Sequence, residues 1–98
     1  MVTCTINLGG GGSFGKGETL QDAMLKCATV FLNDWSSYYR LYGQDFLFFD
    51  KTNEKHYRIV MPELTGKVKT HKGKGYKNLL SNAVNAGIAA GDVDPFDF

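Results

Sequence analysis

Bulk charge is nearly absent from this chain. Eleven Lys and Arg stand against ten Asp and Glu, a formal net of +1, so the total names no partner. Cysteine is scarce too: there are two, at positions 4 and 27, with no metal-site spacing. This excludes a disulfide-stapled scaffold and leads to the expectation of two reduced core thiols in a cytoplasmic protein. No run approaches the roughly 18–20 apolar residues of a membrane span. The N-terminus lacks a charged segment followed by an apolar stretch, so no signal peptide and no membrane partner are expected.

What is present is an ordinary globular composition, 43% apolar and 13% aromatic over 98 residues, with room for one domain and one modest core. The neutral total hides two charge blocks. Residues 67–77 carry five Lys and no acid, whereas residues 92–97 carry three Asp and no base.

Val2, Cys4, Ile6 and Leu8 alternate with Thr3, Thr5 and Asn7, the period of a half-buried strand. Residues 9–17 contain six glycines and read as a loop or loose hairpin, with a weak return strand around Phe14. Thr19 and Asp22 have capping-box spacing. From there Leu20, Met24, Cys27, Phe31, Trp35, Tyr38 and Tyr42 hold one helical face for more than six turns, up to Gly43. Phe46–Phe49 and Tyr57–Met61 flank a turn at 50–54 and form a hairpin that Pro62 stops. A weaker helix follows from Tyr76 to Ile88, closed by Gly91.

The expected fold is therefore α+β: a small antiparallel sheet of three or four strands packed against one long and one short helix, in the order β-(β)-α-β-β-α. Residues 1–91 form the domain, and residues 92–98 are expected to be a mobile acidic tail.

Gly10–Lys16 fits G-x-x-x-x-G-K between a strand and a helix, and Asp50 after Phe46–Phe49 imitates a Mg²⁺-binding acid. Gly17 stands where the metal-binding hydroxyl belongs, however, and Glu18 places negative charge beside the phosphates. The hairpin also opposes a parallel core. His56 and His71 are solitary, without a nearby nucleophile pattern. A non-enzymatic protein is expected, with no cofactor and no metal.

The strongest candidate site is the basic segment. Lys67, Lys69, Lys72, Lys74 and Lys77, spaced by Gly and small polar residues, can track a phosphate backbone. Tyr76 is placed to stack on a base, and Phe46, Phe48 and Tyr57 would extend that platform if they faced solvent. The plainer alternative is a solvated lysine-rich loop.

The C-terminal Asp94, Pro95, Phe96, Asp97 and Phe98 resemble the acidic, Phe-tipped tail of single-stranded DNA-binding proteins of bacteria and phages. The resemblance covers about eight residues and implies docking of the tip into basic pockets of protein partners. This tail is less acidic and has no long linker, and the body does not read as an OB barrel. The Lys72–Lys77 loop before the last helix is similar to that of double-stranded-RNA-binding domains, without their Ala-rich helix start. Gly15–Ala28 resembles the turn-to-helix segment of HicB-like antitoxin domains, as a structural analogy.

The expected function is a small nucleic-acid-binding accessory protein of phage type, taking single-stranded DNA or RNA on the lysines and a protein partner on the tail. The competing expectation is a protein–protein interaction module or inhibitor with no nucleic-acid role. An open sheet edge leaves homodimerisation by strand pairing available.

Overall fold

The computed structural model describes all 98 residues. Its strands are β1 (Val2–Leu8), β2 (Gly11–Gly17), β3 (Asp45–Asp50) and β4 (Lys55–Val60); its helices are α1 (Leu20–Trp35) and α2 (Lys74–Ala90). The four strands form one sheet in the order β2-β1-β3-β4, every pair antiparallel. The fold is α+β, with both helices contributing to a single core on one face of the sheet.

The glycine-rich segment is not a connector. Gly11–Gly17 is a full strand, paired with β1 from Val2↔Gly17 to Leu8↔Gly11. Gly11, Gly15 and Gly17, with only the small Ser13 among them, leave one face nearly bare of side chains, and α1 lies directly on that face. A Cβ on Gly15 would collide with Cys27 N and Ala23 O, and one on Gly17 with Asp22 and Ala23 N. Close helix–strand approach thus replaces side-chain interdigitation here.

Helix α1 begins as expected: Thr19 Oγ1 accepts from the Asp22 amide at 3.2 Å, a cap worth about 1 kcal/mol. Ala23, Met24, Cys27, Ala28, Phe31 and Leu32 form its buried face. It stops at Trp35, seven residues before the expected Tyr42. Ser36 and Ser37 are weak helix formers, and the amides of Tyr38 and Tyr39 both turn back onto the Trp35 carbonyl. Leu41 then enters the core while Tyr38 stays exposed. Gly43, at φ +78°, donates to the Met61 carbonyl at 2.7 Å and joins the chain to the end of β4. Helix α2 runs for 17 residues against 16 for α1, so the two helices are nearly equal in length.

Cys4 and Cys27 are buried, free thiols facing each other across β1 and α1. The hydrogen bond with Cys27, and then burial, push the Cys4 thiol far up. At the β3–β4 turn the buried Asp50 carboxylate accepts the amides of Thr52 and Asn53 and the Asn53 side chain.

After Gly91 the chain returns to the free edge of β4, where Val93 N–H donates to His56 O at 2.8 Å. Pro95–Asp97 forms a single 3₁₀ turn capped by Asp94.

Candidate functional site

The loop before α2 is built from short-range hydrogen bonds and two anchors. Thr65 N–H donates to Val68 O while Val68 N–H donates to Thr65 Oγ1, which turns Val68 inward against the core. Lys67 and Lys69, on either side of it, point to solvent. His71 is the second anchor. Its ring lies between the Tyr42 hydroxyl, 2.6 Å from Nδ1, and Asn33 Oδ1, 3.1 Å from Nε2. Burial, and then the Lys72 ammonium, lower its pKa below the ordinary imidazole value.

Tyr76 does not stack on a ligand. It is fully buried in the first turn of α2, packs against Tyr42 and donates its hydroxyl to Pro62 O at 2.5 Å. Burial, and then Tyr42, push its phenol up, so it remains a donor. The expectation for the sheet aromatics is corrected in the same way. Phe48 and Tyr57 point into the core, and Phe46 packs edge-on against Phe31. Alternation in a strand places such residues on a face without saying which face is covered.

The lysines of the loop and helix are only partly together. Lys72, Lys74 and Lys77 line an open groove of about 1040 Å³ bounded by α1, the start of α2 and the β2 edge. Lys67 and Lys69 lie outside it. Two lysines from elsewhere join them: Lys16 on β2, which the sequence offers only as part of the rejected G-x-x-x-x-G-K match, and Lys26 on α1, which the sequence does not single out. Against these five ammonium groups the groove has one carboxylate, Asp22, and its apolar lining includes Phe14, Leu25 and Val30.

The groove also receives the start of α2. Gly73 is its N-cap, no side chain caps it, and its first turn holds no acid. Lys74 and Lys77 therefore stand where the helix macrodipole is already positive, which is unfavourable by roughly 0.3–1 kcal/mol per charge.

The Gly10–Lys16 stretch forms no phosphate-binding loop, because it belongs to an antiparallel hairpin with Lys16 on an extended strand. No group of three or more His, Cys, Asp or Glu side chains is arranged to hold a metal ion. No helix is long and apolar enough to cross a membrane.

Two further surfaces expose aromatic rings. Tyr38 and Tyr39 pack on Trp35 beyond the end of α1, at centroid distances of 6.2 and 5.9 Å. In the tail, Phe96 is 94% exposed and Phe98 more than half exposed, beside Asp94, Pro95 and Asp97. Phe96 is thus almost fully in solvent, and neither ring is buried. The chain matches no protein-family model, and no curated protein or solved structure matches it.

Proposed function

We propose that this protein is a non-enzymatic accessory factor that binds nucleic acid along the lysine groove and offers the Asp94–Phe98 tip to a protein partner. One observation carries the reading: lysines from β2, α1 and α2 meet in one groove that holds a single acid. Like charges brought together from separate elements repel one another, and a polyanion turns that repulsion into attraction.

The start of α2 supports the same reading. Its lysines contradict the macrodipole, and a local rule broken at low cost is expected where a site needs it. A phosphate at this end would meet both the ammonium groups and the uncapped amides.

Fluorescence anisotropy with labelled oligonucleotides tests the reading. Binding near micromolar concentration at low salt is expected. Log affinity should fall linearly with log salt, by about 0.7 per phosphate neutralised on a single strand. No binding, or binding indifferent to salt, overturns it.

The exposed Tyr38 and Tyr39, packed on the half-buried Trp35, favour a second reading, a protein-interaction module, because Trp and Tyr anchor protein interfaces. That reading takes over if oligonucleotides do not bind.

A further inference from the structure

The helices cover one face of the sheet and leave the other open. Across the open face, direct register partners place Phe14, Thr5, Phe49 and His56 in one row, one residue from each strand. Phe14 is 61% exposed. Phe49 stacks on His56, with centroids 4.6 Å apart and planes 26° from parallel. Between these two aromatic positions stands only the small Thr5, so Phe14 and Phe49 are two strand spacings apart, about 10 Å.

We infer that this row is a base-stacking surface and that the protein's nucleic acid is single-stranded. The inference rests on the groove reading above and extends it to a second face. Stacking needs bases whose ring faces are free, and in a duplex those faces are already taken by neighbouring bases. Splayed bases of a single strand can lie on Phe14 and on the Phe49–His56 pair regardless of sequence.

Charge fits the same occupant. Arg58 and Asp45 on this face neutralise each other as an ion pair, which leaves Lys16 as the unpaired charge of its strands. Thr3, Thr5 and Asn7 add neutral donors and acceptors along β1. Phe14 and Lys16 also line the groove, so phosphates on the groove lysines lead around the β2 edge onto the first ring.

The test measures labelled oligo-dT, oligo-rU and a duplex of equal length against the full chain, across a salt series. Single strands are expected to bind more tightly than duplex. Phe14→Ala should weaken single-strand binding by roughly 5- to 150-fold, the range for one stacked base. Phe49→Leu, which keeps the bulk of a half-buried side chain, should act in the same direction. The salt slope and duplex affinity should stay unchanged in the Phe49 variant, whose ring lies outside the groove. Salt-dependent binding that ignores strandedness and both substitutions would overturn the stacking row and leave the groove standing. Absence of all oligonucleotide binding would overturn both. The dT and rU arms then decide between DNA and RNA.

Discussion

Tyr42 and His71 are joined hydroxyl to ring nitrogen at 2.6 Å, a bond that either partner can donate, and the second partner of the ring sets its direction. Asn33 Oδ1, 3.1 Å from Nε2, only accepts. Nε2 therefore donates to Asn33, and Nδ1 accepts from Tyr42. The neutral ring thus ties the lysine loop to the end of α1.

This arrangement makes stability depend on pH. The folded-state pKa of His71 is lowered, so the unfolded chain binds its proton more readily. The contribution is present above the unfolded value, about 6.5, and is lost as pH falls through the lower folded value. Urea denaturation between pH 8 and pH 5 should show a loss for the wild type that is smaller in His71→Gln. Equal losses would show that the ring does not couple to folding.

The five groove lysines should not be equivalent to those outside it. Replacing Lys74 and Lys77 together by Gln should weaken oligonucleotide binding and reduce the salt slope by about 0.7 for each phosphate that is no longer neutralised. The same change at Lys67 and Lys69 should leave the slope nearly intact. Affinity titrations of the two double variants at several salt concentrations read the contrast directly.

Gly15 and Gly9 should respond oppositely to the same substitution. Gly15→Ala drives a methyl group into the backbone of α1 and is expected to destabilise by about 1–3 kcal/mol. Gly9→Ala meets nothing within 4 Å and should stay within about 0.5 kcal/mol. Thermal or urea unfolding of both variants measures the difference.

The β3–β4 turn gives a matched pair of changes. Asp50→Ala leaves two turn amides without their acceptor, at a cost of about 1–3 kcal/mol. Glu54 sits at φ 57°, a conformation that glycine adopts freely, so Glu54→Gly should stabilise by about 0.5–1 kcal/mol. Chemical denaturation midpoints should move in opposite directions.

Much of the fold was legible in the sequence because its signals are local. Period-2 alternation marked β1, capping-box spacing marked the start of α1, and Asp50–Glu54 marked the hairpin turn. The β2 strand was obscured because its period-2 signal is carried by glycine, which otherwise reads as looseness. Only the backbone of α1 lying on Gly15 and Gly17 reveals why the side chains are missing. The end of α1 was overrun because Tyr38 and Tyr42 continue the helical spacing past the serines that break it.

The candidate site was legible in part. Its charge lay in one lysine-rich run, but which lysines meet depends on tertiary approach: Lys16 and Lys26 come from separate elements, and Lys67 and Lys69 turn away. Tyr76 and Phe48 suggest ligand-facing rings because an aromatic residue near lysines looks the same in sequence whether it stacks on a base or fills the core. The open-face row was not legible at all, since it needs the register of four strands.

The hydrogen bond from Val93 to His56 has a consequence for self-association. It engages one carbonyl on the outer edge of β4, whereas β2 is an edge beside which no further strand lies. Two copies joined antiparallel through β2 use up that edge on both. Pairing through β2 on both copies is therefore self-limiting: its product is a closed pair and not a fibre.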